Sequence, residues 1–241
     1  MKMRGGRTTY GEEIGILMLE TRFPRLPGDI GNAGSFSFPV RYKTVRGAKP
    51  ERIMGDRPDP SLLEPFISAG RELEAEGVRA ITTSCGFLAP FQEKLAESVS
   101  VPVFTSSLLM VPLINSLLGG RRTIGIFTER ANHLTEEHFR GAGWSSREIP
   151  VAVQGMGKEA VFPSVFIGNS LELDSEVLAA EVEKMTEEFI HAHPRAGAIL
   201  LEVTNMCPFS ALIQEVSGLP VFDINTLINL MHRALLPRKY L

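Results

Sequence analysis

The sequence predicts an α/β protein built from two related lobes, each a mainly parallel sheet flanked by helices. Three observations carry the prediction. Residues 80–91 (AITTSCGFLAPF) and 198–209 (AILLEVTNMCPF) align without a gap at an offset of 118, each ending an apolar run in a turn that leads into a helix. The same offset carries VPVF at 101–104 onto LPVF at 219–222, and Leu117 and Leu118 onto Leu235 and Leu236, which a chance match would not sustain. IGILML at 14–19 and TIGIFT at 123–128 share an Ile-Gly-Ile core, and both runs have the length of a buried parallel strand.

Taken in order, residues 1–12 are polar and expected to carry no element, and 14–19 form the first strand. Residues 20–58 are punctuated by prolines and glycines and read as one long loop. It leaves the C-terminal end of a strand, where open α/β sheets bind ligands, so it reads as a lid; a surface excursion or subunit contact is the competing account. Asp59-Pro60 then starts a helix that carries Leu63, Phe66, Ile67 and Leu73 on one face and stops at Gly77, with Pro65 delaying or bending it. Strand 79–84, helix 88–98, strand 101–104 and helix 107–118 follow, and Gly119-Gly120 closes the unit.

The second lobe opens at Thr123, continues through a helix at 132–140, and is irregular over 145–170 apart from a short strand at 149–153. Asp174 caps a helix running to His191, with Val177, Leu178, Val182, Met185 and Phe189 as its apolar stripe. After the second copy of the repeat, a helix over 224–236 ends the chain. The expected division places residues 1–107 with 224–241 in the first lobe and 108–223 in the second.

Composition narrows the function. With 44% hydrophobic residues, 22% charged residues and a net charge of −3, the 241-residue chain has an ordinary globular make-up and lacks the basic footprint of a nucleic-acid binder. No apolar run approaches the roughly 20 residues that span a bilayer, and no apolar stretch follows the charged N-terminus as in a signal peptide, so a cytoplasmic location is expected. Two cysteines make no disulfide framework and leave two free thiols.

Cys85 sits between a buried strand and a helix, where free backbone N–H groups would lower a thiol's pKa. Cysteine also packs well as a plain core residue, but the strand-end position and the neighbours Thr82, Thr83, Ser84 and Gly86 favour chemistry. The residue mirroring it in the second copy is Val203. Cys207 lies four positions further on, before Pro208, where it would cap the following helix; activated thiol and simple filler stand level for it. His133 and His138 read as solvated helix faces. No metal-ligand spacing, phosphate loop or dinucleotide fingerprint occurs, so the chemistry is expected to need no metal and no cofactor.

IGILMLETRFPRLPGDIGN, AITTSCGFL and AILLEVTNM with PF behind it together resemble the aspartate/glutamate racemase superfamily over nearly the whole chain. The resemblance implies two lobes related by a pseudo-twofold axis with the active site between them, homodimers or higher even-numbered oligomers, and cofactor-free proton transfer by one cysteine from each lobe. Cys85 matches the first cysteine, and Thr204 and Asn205 match the polar pair that follows the second, but Val203 occupies the second cysteine's place. The expected activity is Cα-proton abstraction from a small carboxylate by a Cys85 thiolate. Thr21, Arg22, Ser84, Gly86, Phe87, Thr128, Val203, Thr204 and Asn205 are the expected binding residues, with Cys207 as second catalytic candidate. Arg22, Arg25 and Arg41 hint at another anionic group on the substrate. A racemase-like isomerase stands first. A one-cysteine lyase, decarboxylase or cis-trans isomerase, for example of the dimethylsulfoniopropionate lyase type, stands second, and a carboxylate binder without catalysis third.

Overall fold

A computed structural model describes residues 5–157 and 159–237. The first sheet comprises β1 (Ile14–Met18), β2 (Val40–Thr44), β3 (Ala80–Thr83) and β4 (Val103–Phe104), all parallel, in the order β2-β1-β3-β4. Helices α1 (Leu63–Glu76), α2 (Gln92–Ser98) and α3 (Val111–Leu117) connect or follow its strands. The second sheet repeats the plan with β5 (Thr123–Phe127), β6 (Val151–Gln154), β7 (Ala196–Leu201) and β8 (Val221–Phe222) in the order β6-β5-β7-β8. Its helices are α4 (Glu136–Gly141), α5 (Val161–Phe166), α6 (Ser175–Ala192) and α7 (Ser210–Ser217), and α8 (Ile224–Leu235) follows. The internal duplication is therefore real: two parallel sheets share one strand order.

The repeated Ile-Gly-Ile core has a packing cause. A Cβ at Gly15 would lie 2.9 Å from Leu73 of α1, and one at Gly125 would lie 2.4 Å from the Phe189 ring of α6. In each lobe the central strand carries glycine where the long helix crosses it, and alanine there would overpack the core by about 1–3 kcal/mol. The expected capping signals act as such: Asp174 accepts from Glu176 N and Val177 N, and Gly77 ends α1 in the left-handed region at φ 102°; Asp223, accepting from Thr226 N, caps α8 in the same way as Asp174 caps α6.

Four expectations require correction. Residues 20–58 are not one loop, because Val40–Thr44 pairs with β1 as an edge strand; its half-buried VRYKT segment is too short and too charged to stand out. Arg41 and Lys43 on it pair with Glu12, Glu72 and Glu76. The turns after β3 and β7 are 3-10 helices before they become α-helical. The stretch 145–170 contains α5, whose Phe162, Val165 and Phe166 are buried. His138 is buried rather than solvated: its Nδ1 accepts from Thr135 N at 3.1 Å, its ring packs edge-on to Phe87, and burial lowers its pKa to about 4. No element occurs over 5–12, and residues 1–4 of that stretch lie outside the described residues, as do 238–241 of the expected first lobe.

Candidate active site

The site forms where β3 and β7 end. Cys85 is extended at φ −151° and ψ 121° and immediately precedes the 3-10 turn Gly86–Phe91; Val203 holds the same place before Thr204–Phe209. The two turns meet across the lobes. Thr204 Oγ1 donates to the Ser84 carbonyl at 2.8 Å and Ser107 Oγ donates to the Leu201 carbonyl at 2.7 Å, while within the first lobe Ser84 Oγ accepts from Leu19 N at 2.9 Å. Gly86 is required at this junction, since a Cβ there would lie 2.2 Å from Glu202 Oε1 and 2.6 Å from the Glu202 carbonyl oxygen.

A cavity of about 30 Å³ lies between the turns. Ser84, Cys85, Gly86 and Phe87 line it from the first lobe, and Val203, Thr204 and Asn205 line it from the second. The segment after β1 contributes Thr21, Phe23 and Arg25, and Met54 packs with its sulfur 3.6 Å from that of Cys85. Phe166 and Ile167 also line the cavity. The segment that follows β1 forms one wall of this cavity. The segment is fastened by Asp29, which accepts from Arg25 at 2.6 Å, from Gly31 N at 2.7 Å and from Asn205 Nδ2 at 2.7 Å, and by Asn225 Nδ2 donating to the Gly28 carbonyl at 2.7 Å.

Of the expected binding residues, Arg22 and Thr128 do not line the cavity. Arg22 is exposed, its backbone N–H donating to Asn169 at 2.6 Å, and Arg25 supplies the guanidinium instead, with a second bond to Thr21 Oγ1 at 2.9 Å. Thr128 lies behind the wall and donates to Glu202 Oε2 at 2.7 Å. Cys207 is also off the cavity. It is buried inside the 3-10 turn, beside the start of α8, and neither caps α7 nor faces Cys85. Burial raises its thiol pKa, with Asp223 and Asp29 adding to the effect, so a thiolate is disfavoured there.

At Cys85, burial opposes the lowering that its turn suggests. Burial pushes its pKa up, Glu202 and then Glu129 add to the rise, and the Phe87 N–H on its sulfur opposes them only in part. These two glutamates line the cavity and were missed in the sequence, although each stands directly after a buried strand run. Both are almost wholly buried, at 3% for Glu129 and 1% for Glu202. Burial raises both carboxyl pKa values, that of Glu202 to about 8 even with Thr128 donating to it. The arrangement brings one thiol, two buried carboxyls and one guanidinium around an apolar chamber.

The fold is that of the racemase superfamily. A mutant of arylmalonate decarboxylase in its sulfate-associated form matches with a TM-score of 0.60 and 15% identity over 94% of each chain. Glutamate racemase from Francisella tularensis matches with a TM-score of 0.54 and 17% identity over 94% of this chain and 81% of its own. No family model matches the chain. Its sequence is 32% identical over 216 residues to a dimethylsulfoniopropionate lyase of Durusdinium sp. clade D, covering 87% of this chain and 70% of that protein. It is 29% identical over 231 residues to dimethylsulfoniopropionate lyase 3 of Emiliania huxleyi, covering 92% of this chain and 60% of that protein. The chain belongs to the dimethylsulfoniopropionate lyase family. An enzyme of racemase-superfamily fold is thereby established, and the lyase reading fits it better than the isomerase reading placed first on sequence.

Proposed function

We propose that this chain is a lyase that cleaves dimethylsulfoniopropionate, or a closely related β-onium carboxylate, into acrylate and dimethyl sulfide. The observation that carries the reading is the single thiol on the cavity, with a valine in the mirror position. Racemisation needs an acid on the far face of Cα to return a proton. Elimination does not: the Cys85 thiolate takes the α-proton, the electron pair of that C–H bond becomes the C=C bond, and the Cβ–S bond breaks with its pair leaving on dimethyl sulfide. Arg25 and Thr21, with the N–H groups that open the two 3-10 turns, are the donors available to the substrate carboxylate as charge develops on it.

The raised thiol pKa fits a base that is switched on by its substrate. Burial first, and then the nearby Glu202 and Glu129, raise the pKa of the thiol. A sulfonium cation entering beside the thiol favours its ionised form by charge attraction at the moment the base is needed.

The test is to incubate purified protein with dimethylsulfoniopropionate and measure dimethyl sulfide in the headspace and acrylate in solution. Equimolar release by the wild type, lost in Cys85→Ala with an unchanged melting curve, is expected. Absence of both products between pH 6 and 9 would remove the lyase reading. Deuterium incorporation into a recovered amino or hydroxy acid, without sulfide release, would put a racemase in its place.

A further inference from the structure

We infer that Glu129 and Glu202 form a cation subsite on the second lobe, which takes the onium end of a substrate whose carboxylate lies toward Arg25. This deepens the lyase reading and rests on it for the orientation of the substrate. The two carboxyls reach the same cavity from the ends of β5 and β7, strands that pair directly. Each is nine-tenths buried or more, and each keeps one oxygen without a hydrogen-bond partner: Oε2 of Glu129 and Oε1 of Glu202. Buried polar atoms are ordinarily satisfied, so two orphaned acceptors on one cavity wall mark a place completed by something from outside the chain.

The chemistry of the wall indicates what that is. Two adjacent carboxyls favour a positive charge between them, and among the described residues no third His, Cys, Asp or Glu joins them in a set that could hold a metal ion. Met54, Phe87, Phe166 and Ile167 line the same cavity with apolar surface and aromatic rings, which accept the methyl groups of an onium cation better than a hydrated ion. The charged and titratable groups facing the pair are Cys85, Arg25 and Arg130. Arg25 is paired with Asp29 and bonded to Thr21, on the segment after β1.

The placement also suits the reaction. Cys85 and both carboxyls line one cavity, so a substrate whose onium group rests on the carboxyls stays within the same chamber as the base. Burial raises both carboxyl pKa values, and a bound cation favours their ionised form. Binding therefore releases protons.

The experiment compares two unreactive ligands of one shape, 3-(trimethylammonio)propionate and 4,4-dimethylpentanoate, which differ only in the positive charge. Calorimetric titration at pH 8 of the wild type should show a preference for the cationic ligand of about tenfold or more, equivalent to 1.4 kcal/mol. Glu129→Gln and Glu202→Gln should each reduce that preference several-fold while binding of the neutral ligand holds or tightens, with melting curves confirming the fold. Repeating the wild-type titration at pH 7 in buffers of different ionisation enthalpy should reveal proton release with the cation alone. Equal wild-type affinity for the two ligands, no binding of either, or a preference unchanged in both glutamine variants would overturn the subsite. If the preference appears but dimethylsulfoniopropionate is not cleaved, the subsite stands and the lyase reading falls.

Discussion

Replacing Glu202 by glutamine isolates the energetic cost of a buried acid in this site. The native protein holds the Glu202 proton up to about pH 8, whereas an unfolded chain releases it near 4.5. Between those values the folded state binds more protons than the unfolded state, so stability falls as pH rises and levels off above about 8. At about 1.4 kcal/mol per pH unit, the loss accumulated from pH 4.5 to pH 7 is on the order of 3 kcal/mol for this one group. Glutamine keeps an oxygen for the Thr128 hydroxyl and carries no charge, so it escapes that loss. Its amide then occupies the unpartnered position, which offsets part of the gain by about 1–3 kcal/mol. The variant should therefore gain on the wild type steadily from pH 5 to pH 8, whatever its absolute stability. Urea unfolding at half-unit steps across that range gives the two stability lines. Glu129 shares the site and its own pKa is raised in part by Glu202, so removing Glu202 flattens the variant's line further. Parallel lines for the two proteins would refute the placement of a protonated Glu202 in the native state.

Two further outcomes follow from the same geometry. Gly86→Ala places a methyl group 2.6 Å from the Glu202 carbonyl oxygen, a backbone atom that cannot rotate away; a stability loss of about 1–3 kcal/mol is expected, with turnover reduced about 100-fold or more as the two turns are forced apart, and wild-type kcat in the folded variant would refute the close approach. Cys207→Ala should cost about 1 kcal/mol in stability and leave turnover of dimethylsulfoniopropionate intact, because its thiol is off the cavity; loss of turnover with a normal melting curve would show instead that Cys207 is brought inward when substrate binds.

Much of the architecture was legible because it is written twice. The offset of 118 that aligns Cys85 with Val203 is the offset between the two 3-10 turns, Gly86–Phe91 and Thr204–Phe209, and between β4 and β8. Buried parallel strands require continuous apolar runs and their helices require a periodic face, so local pattern sufficed for both. The same signal fails for an edge strand: β2 is half buried, sits between proline-rich segments, and offers only the alternation of Val40 and Tyr42 with charged neighbours.

The cysteine at a strand end, and the broken symmetry opposite it, could also be read from the chain alone, since each depends on position along a strand. What the sequence left open depends on distances between segments far apart in the chain. Arg25 rather than Arg22 reaches the cavity because Asp29 and Thr21 hold it there. Cys207 is excluded because the chain enters a 3-10 turn at Thr204, which carries residue 207 away from the wall and toward α8. The sequence places Cys85 near helix-opening N–H groups, an environment that lowers a thiol's pKa. The folded chain adds burial and two carboxyls from the other lobe, and these outweigh it. Desolvation and the approach of Glu129 and Glu202 to Cys85 arise only in the folded chain, so the protonation of this site is decided by tertiary structure.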